Sequence, residues 1–127
     1  MSINIVVKLT VEGLHHWPDC PIEEVSYLKN LHRHLFYITC KKEVSHADRD
    51  IEIIQLKHKI QNFLKQFWWS KEYDCLLFGR MSCEDIANQL VMNFQLNYCQ
   101  VLEDNENGAE IIETLSDPPP LFGFENI

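Results

Sequence analysis

The 127-residue chain carries 11 Lys and Arg against 19 Asp and Glu, a formal charge of −8, and is 46% hydrophobic and 11% aromatic. That composition supports one packed core and excludes low-complexity disorder. The acidic balance, with no basic cluster beyond the Lys41-Lys42 pair, argues against nucleic acid as the main partner, because phosphate binding needs a basic footprint.

Residues 3–11 are rich in β-branched side chains and alternate, with Ile5, Val7, Leu9 and Val11 on one face, which predicts a half-buried strand ended by Gly13. After a loop punctuated by Pro18 and Pro21, residues 31–41 alternate again and set His32, His34, Phe36, Ile38 and Cys40 on one face. From Ile54 the apolar residues Leu56, Ile60, Phe63, Leu64 and Phe67 recur every three or four positions, the period of an amphipathic helix. Ser82 is a good N-cap, and Glu84 and Asp85 follow where they favour the helix dipole, so a second helix is expected from there to about Asn97. Residues 98–102 and 109–115 read as a hairpin turned at Asn107-Gly108, giving the order β-β-α-α-β-β.

Residues 1–115 form the expected domain, and 116–127 a tail made extended by Pro118-Pro119-Pro120. No apolar run of about 18 residues occurs, and the first residues lack the features of a signal peptide, so a soluble, cytoplasmic protein without a membrane partner is expected. Cys20, Cys40, Cys75, Cys83 and Cys99 are an odd number without CxxC spacing, which suits reduced, mostly buried thiols.

Chemistry concentrates in the histidines. An H-x-H pair on a strand projects two imidazoles from one face, and His15 or His16, at the end of the first strand, can add a third to make a zinc tripod with an open fourth position. The same pair also suits a solvated sheet face. Glu103 can act as a bidentate acceptor for two adjacent N–H donors, or be a solvated carboxylate of the acidic run 103–106. Trp68 and Trp69 suit a core or interface cap, or a stacking wall for a flat heterocycle, with Trp69 the candidate ligand contact. Cys83 at a helix start is a buried thiol or, with its pKa lowered there, a minor candidate at the ligand.

Val11-Glu12-Gly13-Leu14-His15 with Leu31-His32-Arg33-His34 resembles a His closing the first strand followed by the HGH zinc signature of the 6-pyruvoyltetrahydropterin synthase family, including its 6-carboxytetrahydropterin synthase branch. Ile51-Glu52-Ile53-Ile54-Gln55-Leu56-Lys57 resembles that family's entry to the first helix. Ser82-Cys83-Glu84-Asp85-Ile86-Ala87 resembles its opening of the second, and Val101-Leu102-Glu103-Asp104 its "vxEt" strand. The resemblance covers about residues 3 to 113.

This resemblance implies an α+β tunnelling fold: ββααββ, a four-stranded antiparallel sheet with two helices on one face, joined into a barrel as a homo-hexamer or tetramer. It also implies Zn2+ on His15, His32 and His34, with His16 as alternate, Glu103 on the ring of a pterin, and a place in queuosine- or tetrahydropterin-type biosynthesis. The family's Cys shortly before HGH is missing: Ser26 and Leu28 stand near its place, Cys20 lies twelve residues before His32, and Glu23 and Glu24 are the other catalytic candidates. Where its Asp-His pair belongs, the chain has Trp68-Trp69. Two functions follow as expectations. One is a zinc-dependent carbon-oxygen or carbon-carbon lyase acting, with weakened or noncanonical catalysis, on a pterin such as dihydroneopterin triphosphate. The other is a non-catalytic binding protein for a pterin, deazapurine or guanine-type ligand. A purely structural oligomer subunit is the third, less chemical reading.

Overall fold

The computed structural model describes residues 1–113, and in it both leading strands outrun their sequence signals: β1 spans Ile3–His15 and β2 spans His32–Val44. They pair antiparallel along their whole length, from Ile3 opposite Val44 to His15 opposite His32. A short 3-10 segment, Glu23–Lys29, fills the connection. Gly13 does not end β1. A Cβ there would lie 2.7 Å from the Phe78 ring and 3.1 Å from that of Phe36, so its lack of a side chain lets two aromatic rings meet over the strand.

Helix α1, Ile53–Trp68, starts where the Glu52 carboxylate accepts from the backbone N–H groups of Ile54 and Gln55, and it buries Leu56, Ile60 and Leu64. Helix α2, Cys83–Phe94, opens with a reciprocal Ser82–Asp85 capping box and stops at Gln95, which is left-handed at φ 53°, two residues before the expected Asn97. The Lys42 ammonium donates to the carbonyls of Phe94 and Gln95 and satisfies that helix end.

The sheet has six strands rather than the expected four, and it is mixed rather than antiparallel. Between the helices lie β3, Trp69–Ser70, and β4, Cys75–Gly79, and the strand order is β3-β4-β1-β2-β5-β6. β4 runs parallel to the end of β1, with Gly13 beside Leu76. The final hairpin, β5 Tyr98–Glu103 and β6 Asn107–Ile112, turns earlier than expected, on Asp104 and Asn105, both left-handed. Gly108 lies inside β6, where a Cβ would come within 2.8 Å of the Leu102 Cα.

Both helices pack on one face. Leu56, Ile60 and Leu64 of α1 and Ile86, Ala87 and Leu90 of α2 share one core with Val7, Leu9, Phe36, Ile38, Cys99 and Val101. All five thiols are free and buried, and no helix among the described residues is long and apolar enough to cross a membrane. The tail 116–127 and the last two residues of the expected strand 109–115 lie outside the described residues.

Candidate metal centre

The core face of β1 and β2 ends in imidazoles. Strict alternation carries the side that bears Val7, Leu9 and Gly13 on to His15, and the side that bears Ile38 and Phe36 on to His34 and His32. His15 stands opposite His32, Gly13 opposite His34, and ring centroids lie 4.6 Å apart for His15–His32, 5.0 Å for His32–His34 and 5.4 Å for His15–His34. The Phe36 ring meets His15 and His34 edge-on and separates the cluster from the core. Glu103 joins from β5, where it pairs with Phe36 and continues the inward face of Cys99 and Val101. One ligand atom from each of His15, His32, His34 and Glu103 lies within 4.8 Å of the others.

Every Nδ1 in the cluster is tied to an oxygen. His15 Nδ1 is 2.9 Å from the Met81 carbonyl, His32 Nδ1 2.9 Å from the Asn30 carbonyl, and His34 Nδ1 2.7 Å from Asp104 Oδ2. Those oxygens only accept, so each Nδ1 carries the hydrogen and, in the neutral rings, each Nε2 presents a lone pair. This is the arrangement by which an oxygen on the far ring nitrogen orients an imidazole toward a metal. Asp104 is itself fixed: its other carboxylate oxygen accepts from the Leu35 N–H, and its own N–H donates to the Leu35 carbonyl.

His15 Nε2 is the telling atom. It is buried, makes no well-formed hydrogen bond, and lies 2.9 Å from Glu103 Oε2. Neutral His15 would set a lone pair against a carboxylate, so the contact is favourable only with positive charge there, either a proton on Nε2 or a metal cation between the two. Burial by itself lowers the His15 pKa, but Glu103 and the Met81 carbonyl outweigh it and the net shift is upward. His32 is shifted downward, chiefly by burial. Glu103 is held below the usual carboxylate value, first by its contact with His15. Its Oε1 also lies 3.5 Å from His34 Nε2.

His15, His32 and Glu103 of the cluster form one wall of a cleft of about 680 Å³ whose other walls include His16, Trp17, Leu28, Met81 and Cys83. His16 turns its Nδ1 to the Lys29 carbonyl, 3.3 Å away, and stands outside the ligand group, so the structure selects His15 of the two. Cys83 Sγ approaches Glu103 Oε2 at 3.7 Å. Burial first, then that carboxylate, push its pKa up to about 12, opposite to the lowering expected at a helix start, so it stays a neutral thiol.

The other candidates lie apart from the cluster. Cys20 is buried, with its thiol toward the carbonyls of Ile22 and Val25, and Glu23 and Glu24 are exposed in the 3-10 segment; none of them lines the cleft. Trp69 lines a different depression with Gln61, Lys65 and Cys75, while Trp68 packs against Phe63 and Phe78. Sequence reasoning missed Asp104, the Met81 and Asn30 carbonyls and Trp17. Only Asp104 left a signal, as the neighbour of a carboxylate already singled out.

No protein-family model matches the chain, and no curated protein sequence matches it either.

Proposed function

We propose that the chain is a divergent protein of the 6-pyruvoyltetrahydropterin and 6-carboxytetrahydropterin synthase type. In this reading it is a cytoplasmic zinc protein of tunnelling fold whose cleft takes a pterin, and whose lyase chemistry on a substrate such as dihydroneopterin triphosphate is slow. The observation that carries the metal is the set of three Nε2 lone pairs, each fixed by an oxygen on the opposite ring nitrogen, with the buried His15 Nε2 lacking any neutral partner. Three imidazoles with a carboxylate at hand suit zinc among the common divalent ions. Bound there, zinc supplies Lewis acidity toward substrate oxygens.

The remaining work falls to the chain. Glu103, 32% exposed and on the cleft wall, has the acceptor capacity to bind adjacent N–H groups of a pterin ring. The slow chemistry rests on the two places where the resembled family keeps its proton machinery: Leu28, four residues before His32, has no proton to move, and Trp68 is packed against the core, which leaves His16, Glu84 and Asp85 as the proton-carrying side chains of the cleft wall outside the cluster besides the neutral Cys83 thiol. Loss of a positioned acid or base typically removes about 10²- to 10⁴-fold in rate. The same Leu28 favours the second reading, a binding protein for a pterin, deazapurine or guanine-type ligand that catalyses nothing.

A homo-oligomer, hexamer or tetramer, belongs to the proposal. Among the described residues β6 is a six-residue edge strand with one side unpaired, the kind of edge that proteins cover or pair. The test is elemental analysis of purified protein with mass spectrometry of ligand released on denaturation, and light scattering on the same sample. One zinc per chain, a bound pterin and an assembly are expected; metal-free monomers at micromolar concentration would refute the proposal. Turnover assays separate the two readings, and turnover at the pace of an efficient enzyme would show that a general acid or base has been recruited.

A further inference from the structure

The zinc tripod expected from the sequence leaves a fourth position open. In the fold, Glu103 faces that tripod with both carboxylate oxygens, Oε2 at 2.9 Å from His15 Nε2 and Oε1 at 3.5 Å from His34 Nε2. Both nitrogens bear lone pairs in the neutral rings, because each Nδ1 hydrogen is taken by an oxygen. Acceptor therefore faces acceptor twice. A single proton on His15 Nε2 relieves one of these contacts, whereas one cation among the donors relieves both and serves His32 as well.

The distances agree with one tetrahedral ion. Zinc bonds of about 2.1 Å set the donors of a tetrahedron about 3.4 Å apart, and the two Glu103 contacts lie on either side of that value. The backbone holds the carboxylate in place: Glu103 sits in β5 opposite Phe36 of β2 and Asn107 of β6, and the next residue, Asp104, takes the His34 ring from its other nitrogen. Among the described residues no Lys or Arg pairs with Glu103, so no other permanent cation claims it. Burial does not shut the position. His15, His32 and Glu103 line the cleft and the Glu103 side chain is 32% exposed, so a small ligand has access to the tripod wherever the carboxylate is absent.

We infer that Glu103 is the fourth protein ligand of the ion, so that the metal site is closed in the ligand-free cleft and admits an outside ligand only when Glu103 leaves. The inference rests on the metal half of the proposed function and not on the ring. It adds a condition to that proposal: Lewis acidity is available only to a substrate that draws the carboxylate away, for example by taking both of its oxygens. Four protein ligands are the mark of a structural zinc site, whereas a catalytic one keeps a position open. A closed resting state is thus a second reason for slow turnover, independent of the missing acid or base.

The experiment is visible absorption of the full chain loaded with cobalt(II), since zinc is d10 and has no such spectrum. Wild type, Glu103→Ala and Glu103→Gln are each titrated with thiocyanate and with uncharged imidazole, the second so that repulsion by Glu84 and Asp85 on the cleft wall is not taken for a closed site. Expected is a saturating shift of the cobalt bands in both variants, at ligand concentrations that leave the wild-type spectrum unchanged. Variants that fold, by circular dichroism, but release cobalt would support the inference equally where the wild type keeps its cobalt and ignores both ligands. A wild-type spectrum that shifts over the same range as those of the variants would overturn it and leave the three-histidine site standing. Variants that keep cobalt and respond no more than the wild type would overturn it too, because something other than Glu103 would then close the site. A wild type that retains no cobalt would remove the metal reading and the inference together.

Discussion

Val7, Leu9, Ile38 and Cys40 lie on the helix-facing side of β1 and β2 and are at most 4% exposed, whereas His15, His32 and His34 occupy the same side of the same two strands and cluster, with His15 and His32 lining a cleft. Backbone geometry does not distinguish the two halves, since one register runs through both. What differs is the cover. The apolar half lies beneath the buried residues of α1 and α2, while α2 begins only at Cys83, on the cleft wall, so the strand ends project past it. One half holds the fold together by excluding water, and the other spends the rigidity so obtained on aiming three rings.

The comparison predicts that the halves fail separately. Replacing both His32 and His34 by Ala should take zinc from one atom per chain to none, measured by elemental analysis, and with it the stabilisation by saturating metal, about 4 kcal/mol at a thousandfold excess over Kd. The metal-free variant should still unfold cooperatively, because neither ring belongs to the core. Ile38→Ala, 1% exposed before truncation, should do the reverse: about 2–5 kcal/mol of stability lost in chemical denaturation, with zinc stoichiometry intact in the folded fraction. If the two variants lose metal and stability together, the division of labour along the strands is wrong.

A finer cut removes the carboxylate that holds the His34 ring. Asp104→Ala leaves the three candidate imidazole ligands and Glu103 in place but frees His34 Nδ1 and the Leu35 N–H. Zinc affinity in competition with a chelator should fall about 10- to 100-fold, the usual effect of removing an oxygen that orients a ligating imidazole. Asp104 is also left-handed at φ 54°, which Asp tolerates better than Ala. Asp104→Asn, which keeps an acceptor and that tolerance, should recover most of the affinity; failure to do so would show that charge, not orientation, matters there.

What was legible in the sequence follows the same division. The alternation in β1 and β2, the helical period from Leu56 to Leu64 and the Ser82 cap are local signals, and each element formed about where its signal stood. Because alternation assigns faces, the placing of His32 and His34 on the side of Phe36 and Ile38 was legible too. β3 and β4 were not. Cys75–Gly79 is too short and too uniformly apolar to show a period, and its parallel pairing with β1 depends on the whole intervening chain. Gly13 and Gly108 look like punctuation in the sequence, yet both lie within strands, where the Phe78 and Phe36 rings and the β5 backbone take the space of a side chain. Glu103 at the cluster could have been found by continuing the alternation from Cys99 and Val101. The carbonyls of Met81 and Asn30 could not, since a backbone oxygen leaves no mark on residue identity.

The smallest expected effect is the most specific to the imidazole half: the pH dependence of the metal-free protein. His15 holds its proton more tightly in the folded state than at its ordinary 6.5, so its contribution to stability is complete below that value and is lost as pH rises through the raised folded one. Glu103 is shifted below its ordinary 4.5, so its contribution is complete above 4.5 and is lost as pH falls through the lowered value. The pair therefore stabilises the chain most between 4.5 and 6.5. His32, shifted downward mainly by burial, contributes fully above 6.5 and loses its contribution as pH falls through its folded value, which trims the acid side of that window. His34 and Cys83 also face Glu103, but the thiol stays neutral throughout this range. Glu103→Gln cannot hold the extra proton on His15, so the difference between wild type and variant, followed as thermal midpoint against pH in excess chelator, should peak inside the window and shrink on both sides. Zinc should erase the alkaline decline, because the metal takes the place of the proton on His15 Nε2 and binds better as protons leave. Parallel wild-type and Glu103→Gln profiles without metal would mean that the 2.9 Å contact carries no charge between its partners, and the orphaned Nε2 would no longer point to a cation.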